Sequence, residues 1–219
     1  MTTKKVGVLL SGCGVFDGAE IHEAVLTLLY LDQQGAEVVC MAPDINQAHV
    51  INHLTQEEMD PPRNVLVEAA RIARGEIKDL ADITADQIDA LILPGGFGAA
   101  KNLSEFAFKG PESSVNSQVK QLLEAMVLAG KPIGALCIAP ATVGMALKDM
   151  KPLMTVGKEE GVIGALAAIG VKHQLCAVDE IAVDEAHKIV TTPAYMLGPG
   201  IKDVGAGIEK LVKKVLSMT

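Results

Sequence analysis

Tryptophan is absent from the 219-residue chain, which has only two tyrosines and four phenylalanines although 49% of its residues are hydrophobic. A core that large and that poor in rings must be packed from Val, Ile, Leu, Ala and Met. Long apolar runs are lacking as well. The longest, residues 161–171, contains three glycines and falls short of the ~20 residues a bilayer span requires. Positive charge is scarce: 19 Lys and Arg against 27 Asp and Glu give a net charge of −8, with no basic run. Nucleic acid and anionic membrane surfaces are therefore poor electrostatic partners, and none is expected. Cys13, Cys40, Cys137 and Cys176 are widely spaced and form no CxxC pair. The first apolar run is too brief for a signal-peptide core, so reduced thiols in a cytoplasmic protein are expected. No repeat, low-complexity tract or Pro/Ser-rich linker divides the chain, and residues 1–219 are expected to form a single domain.

What is present is alternation. Apolar runs at 5–10, 37–42, 88–93 and 132–136 have the continuous hydrophobicity of strands buried on both faces. Helical spacing separates them, at 20–31, 64–74, 115–128 and 139–147, and a last helix is predicted over 201–216. In the first helix Ile21, Val25, Leu28 and Leu29 fall on one side and form the expected apolar face, with Glu23 off its centre. Asn64 is a predicted N-cap and Gly75 a stop. Residues 181–190 predict strand, turn, strand, a hairpin added at one edge. The fold class is therefore α/β: a flavodoxin-like, three-layer α/β/α sandwich around a mostly parallel sheet. Ligands of such sheets bind outside the carboxyl ends of the strands.

Three strand-to-helix junctions meet that edge: SGCGVFDGAEIHE (11–23), PGGFGAAKN (94–102) and GALCIAPA (134–141). Cys137 lies between a short strand and a helix, where a nucleophile is presented on a sharp turn and helix N-terminal amides lower a thiol's pKa. A buried structural cysteine is the alternative that composition alone favours. The first junction is spaced G-x-G-x-x-x-G, with Asp17 and Glu20 where a pyrophosphate would sit, which argues against a nicotinamide cofactor.

Together with INHLT (51–55) and IVTTPAYM (189–196), these junctions resemble the PfpI-type, class I glutamine amidotransferase-like superfamily. Within it they are most similar to the ElbB branch, whose members are labelled glyoxalase ElbB or enhancing lycopene biosynthesis protein. The resemblance spans essentially the whole chain. It implies Cys137 as the reactive cysteine and Glu23 as the carboxyl that hydrogen-bonds the thiol. It also implies the backbone N–H groups of Gly96 and Ile138 as an oxyanion pocket, and a homodimer. The implied activity is a cofactor-independent glyoxalase: a small dicarbonyl, glyoxal, converted to glycolate. The alternative is a redox-sensing or regulatory protein in which Cys137 is oxidised, or one accessory to isoprenoid metabolism.

One departure from the superfamily's pattern stands out. Ile138 follows the cysteine where many relatives place histidine, KPLMTVGKE (151–159) holds no histidine, and TTPAYM holds no His-x-Glu. Amidase and protease chemistry is unsupported. His22 and His53 are the candidates for a substitute proton shuttle. His49 and His53 are four apart, the spacing of a helical metal pair, but no third fixed ligand accompanies them and no metal is expected. His173 and His187 are predicted in solvated turns, and Cys13 is a small residue in a Gly-rich loop at the same edge as Cys137.

Overall fold

The computed structural model describes residues 3–219. Five parallel strands form most of the sheet: β1 (Lys5–Leu9), β2 (Glu37–Ala42), β3 (Lys78–Asp79), β4 (Ala90–Leu93) and β5 (Ile133–Leu136). β6 (Leu153–Met154) and β7 (Lys172–His173) pair separately, and β8 (Ala182–Asp184) and β9 (Ile189–Thr192) complete the main sheet in the order β3-β2-β1-β4-β5-β9-β8. The expected edge hairpin is present, with β8 antiparallel to β9. Its second strand does more than decorate the edge. β9 pairs in parallel with β5, with Leu136 opposite Thr192, so the chain leaving β9 emerges beside Cys137.

Both faces of the central strands are buried, and successive residues serve opposite layers. On β4, Leu91 and Leu93 pack in one layer with α3 (Phe97–Lys101), α5 (Ser117–Leu128), α6 (Ala139–Ala146) and α7 (Glu160–Ala168). Ala90 and Ile92 pack in the other layer with α1 (Ile21–Gln33), α2 (Val65–Ile72) and α8 (Ile201–Ser217). A short helix, α4 (Phe106–Lys109), follows α3. Asn64 caps α2 as expected, accepting from the Val67 N–H at 3.0 Å.

The structure corrects the sequence reading at several places. Residues 161–168, with Gly161 and Gly164, lie in α7, for which no element was expected, and Gly170 at φ +86° turns the chain after its end. The strand-to-helix junction expected at 94–102 is present, with Gly96 as the N-cap of α3. The largest correction concerns α1. Its Ile21, Val25 and Leu29 are 42%, 48% and 43% exposed, and the buried face carries Glu23, Ala24, Thr27 and Leu31 instead. Tertiary packing has overridden the hydrophobic stripe, at the cost of burying a carboxyl group.

Truncation at the centre of the sheet tests this layering. Leu91→Ala should cost about 2–5 kcal/mol by urea denaturation, whereas Leu54→Ala, 91% exposed in the loop after β2, should stay within about 0.5 kcal/mol.

Candidate active site

β5 ends at Leu136 and α6 begins at Ala139, which leaves two residues to turn the chain. Cys137 makes the turn at φ +57°, a left-handed conformation that costs a non-glycine residue on the order of 1–3 kcal/mol. It is held there by its own N–H, which donates to the Thr192 carbonyl at 3.1 Å. The N–H groups of Gly96 and Ile138, the two predicted pocket donors, both donate to the Cys137 sulfur.

Glu23 approaches from the first turn of α1. Glu20, the helix N-cap, accepts the Glu23 N–H at 2.7 Å and so fixes the turn that aims the carboxyl inward. The side chain is fully buried. Gly95 N–H donates to its Oε2 at 2.9 Å and Tyr195 N–H to its Oε1 at 3.2 Å, and the carboxyl is hydrogen-bonded to the Cys137 thiol. Glycine is required at 95 by this crowding. An added Cβ would lie 2.5 Å from the Cys137 Cβ and 2.7 Å from Glu23 Oε2.

The electrostatics follow from burial. Desolvation pushes the Glu23 carboxyl up from 4.5 to about 7; the Glu20 charge adds to this, and the Tyr195 and Gly95 N–H groups oppose it. Burial also raises the Cys137 thiol well above its ordinary value, the Glu23 charge raises it further, and the Gly96 and Ile138 N–H groups oppose the rise. The free-standing low-pKa thiolate expected from the strand–helix turn is not what the fold builds. Thiol and carboxyl form a buried pair, both shifted upward chiefly by burial.

Cys137, with Glu23 buried behind it, opens into a cavity of about 350 Å³ walled by Val15, Val162 and Met196, with Glu20, Glu159, Phe97 and Tyr195 also lining it. Another cavity of about 340 Å³, between α5 and residues 80–85, holds no acid, base or thiol.

Neither predicted proton shuttle lines the cavity. His22 Nδ1 is 2.7 Å from the Tyr195 hydroxyl, so it reaches the cavity only through that phenol. His53 clamps two loops together. Its Nε2 accepts from the Phe16 N–H at 3.3 Å, its Nδ1 donates to the Ile51 carbonyl at 3.0 Å, and Asp17 lies 3.9 Å away. His49 does not converge on His53; no helix spans them, and His49 Nδ1 sits 3.3 Å from Lys101 Nζ. Among the described residues no group of three or more His, Cys, Asp and Glu is placed to hold a metal ion. His173 and His187 are structured rather than solvated. Val156 N–H donates to His173 at 3.3 Å, and His187 pairs with Asp184 at 3.0 Å. Cys13 is half-buried within the fields of Arg71, Glu68 and Asp17, away from the Cys137 pair.

Residues 13–152 match the model of the DJ-1/PfpI family, a span that includes the Cys137 turn, the PGGFG donors and Glu23. The chain belongs to the DJ-1/PfpI family. It is 47% identical to the human "Glutamine amidotransferase-like class 1 domain-containing protein 3, mitochondrial", over 98% of this chain and 83% of the relative. It is 32% identical to "ES1 protein, mitochondrial" of Danio rerio, over 98% and 86%. Among solved structures, an isoprenoid biosynthesis protein with an amidotransferase-like domain from Ehrlichia chaffeensis superposes with a TM-score of 0.92 at 35% identity, covering 99% of each chain. Drosophila melanogaster DJ-1beta shares the fold at a TM-score of 0.58 and 19% identity, over 99% and 96%. The flavodoxin-like α/β fold read from the alternating strands is that of these neighbours. No helix among the described residues is long and apolar enough to cross a membrane.

Three parts of the site were not read from the sequence. Gly95 was taken only as part of a strand break, Glu20 only as a charge, and Tyr195 lay in a segment noted for the histidine it lacks. A doubled glycine after a buried strand was the available signal for Gly95, since close backbone approach needs a missing Cβ.

The Glu23 pKa has a measurable consequence. A carboxyl at about 7 in the folded chain and 4.5 unfolded binds more protons when folded between those values, so its stabilising contribution is present at acid pH and lost as pH rises through 7. Urea denaturation at pH 5 and pH 8 should show that loss, on the order of 3 kcal/mol, in the wild type. Glu23→Gln, which cannot titrate, should flatten that part of the slope.

Proposed function

We propose that this chain is a cofactor-independent glyoxalase acting on a small dicarbonyl such as glyoxal. The observation that carries the reading is the buried Cys137–Glu23 pair, whose carboxyl is held near neutrality and so can both accept and donate a proton at working pH. No histidine is needed. As the sulfur attacks one carbonyl carbon, a C–S bond forms and Glu23 takes the thiol proton. The carbonyl electron pair becomes an oxyanion beside the Gly96 and Ile138 N–H groups, and the Glu23 proton then moves to that oxygen to give a hemithioacetal. Glu23 next removes the C–H proton of the same carbon, and the electrons pass to the neighbouring carbonyl, whose oxygen takes the proton of the hemithioacetal hydroxyl. Glu23 then returns its proton to the neighbouring carbon as the first oxygen closes to a carbonyl. The product of that shift is a glycolyl thioester. Water cleaves its C–S bond, releasing glycolate and restoring the thiol.

The rival role, Cys137 as an oxidation sensor, calls for an exposed thiolate. A thiol 8% exposed and pushed upward by burial favours chemistry at the wall of the apolar cavity instead. The Ehrlichia chaffeensis relative's description as an isoprenoid biosynthesis protein supports placement in the ElbB branch, with a role accessory to isoprenoid metabolism. Homodimerisation belongs to the same proposal, and the exposed Ile21, Val25 and Leu29 on α1 would supply an apolar face for it. The compartment is proposed to be the cytoplasm from the four free thiols, although the vertebrate relatives are named mitochondrial.

Purified Cys137→Ser should consume no glyoxal while keeping the wild-type circular dichroism spectrum. Glu23→Gln should lose roughly 10²–10⁴-fold in turnover, because it keeps a hydrogen-bond donor but can carry no proton. Glyoxal turnover that survives Cys137→Ser would sink the mechanism.

A further inference from the structure

The charged side chains lining the Cys137 cavity are all of one sign. Glu20 and Glu159 are among its lining residues, Glu23 lies buried beneath the thiol, and no Lys, Arg or His lines it. The two donors that could answer an incoming anion, the Gly96 and Ile138 N–H groups, are already directed at the sulfur. Lys101 stacks on Phe97 with its ammonium 5.1 Å from the ring centre, but it lines a separate cavity. Its ammonium is committed to the Phe16 carbonyl at 3.1 Å and to His49 at 3.3 Å. Of the remaining wall, Val15, Phe97, Val162 and Met196 are apolar and offer a carboxylate no solvation, and the one phenol, Tyr195, has its hydroxyl engaged with His22 Nδ1 at 2.7 Å.

We propose that the Cys137 cavity selects uncharged carbonyl substrates and rejects carboxylates, with Glu159 and Glu20 as the residues that repel the anion. This deepens the glyoxalase reading and rests on it for the identity of the substrate. Glyoxal is neutral and enters freely, whereas glyoxylate and other 2-oxo acids are excluded. The product is treated differently from the substrate. Hydrolysis of the thioester turns a neutral adduct into a carboxylate inside an acidic cavity, and repulsion then favours release over product inhibition. Glu20 serves both ends, since its charge is one of the causes that keep the neighbouring Glu23 carboxyl protonated. Glu159 is a specificity-determining residue with no part in the chemistry. It lies exposed at the N-terminal end of α7 and can be changed without disturbing the Cys137–Glu23 pair.

The test uses two alkylating reagents that differ in charge. Labelling of Cys137, resolved from the other cysteines by peptide mass spectrometry, is timed with neutral iodoacetamide and anionic iodoacetate, in native protein and in urea. The native ratio of amide to acetate rates should exceed the unfolded ratio by roughly tenfold or more at low salt, and should narrow as salt is added. Glu159→Gln should lower the native ratio several-fold and Glu159→Lys should lower it further. Equal native and unfolded ratios would overturn the proposal, as would a ratio unmoved by Glu159→Lys. A Cys137 that neither reagent reaches would also overturn it, because the cavity must admit a small uncharged electrophile. Glyoxal turnover is followed in parallel. A raised ratio without turnover would remove the glyoxalase reading and leave the charge selection standing.

Discussion

The arrangement around Cys137 depends on one contact, the hydrogen bond between a fully buried Glu23 carboxyl and the Cys137 thiol. Four separate segments supply it. α1 delivers the carboxyl, the turn after β5 delivers the thiol, Gly95 after β4 gives an N–H at 2.9 Å, and Tyr195 after β9 gives another at 3.2 Å. Every one of these segments leaves the carboxyl edge of the sheet, so the parallel topology makes their meeting possible. The contact also explains costs visible elsewhere. Cys137 accepts a left-handed backbone, Gly95 forgoes a side chain, and α1 turns part of its apolar stripe outward so that Glu23 can face in.

Burying two ionisable groups side by side sets the chemistry as firmly as it sets the geometry. Neither group can hold a charge cheaply in such a place: burial raises both, and the Glu23 charge raises the thiol further, while the thiol's hydrogen bond to Glu23 opposes the carboxyl's rise. No histidine stands next to the cysteine in the sequence; the group beside the thiol is the Glu23 carboxyl. The Glu20 charge pushes the same way as burial, favouring the protonated form of Glu23, and Glu20 and Glu159 are the charged side chains lining the cavity.

Much of the fold was legible in advance because parallel strands buried on both faces are written as continuous apolar runs, and 5–10, 37–42, 88–93 and 132–136 each became a strand. The Cys137 turn was legible for a related reason, since a cysteine between a short strand and a run of small residues has few places to go. The orientation of α1 was not. Its exposed Ile21, Val25 and Leu29 have the spacing of a core face, and nothing local distinguishes them from one. His22 and His53 were equally illegible as partners, because each finds its contact across the chain, in Tyr195 and in the Phe16 loop.

By itself the sequence determined the layers, the long strands of the main sheet and the turn that presents Cys137. These follow from patterns a few residues long: alternation, a Gly-rich turn, small residues at a helix start. The tertiary structure alone decided the protonation behaviour of the Cys137–Glu23 pair, the sign of the charge around the cavity and the part played by Tyr195. Those are properties of desolvation and of groups brought together from residues 20 to 195, and no window along the chain contains both the buried group and what buries it.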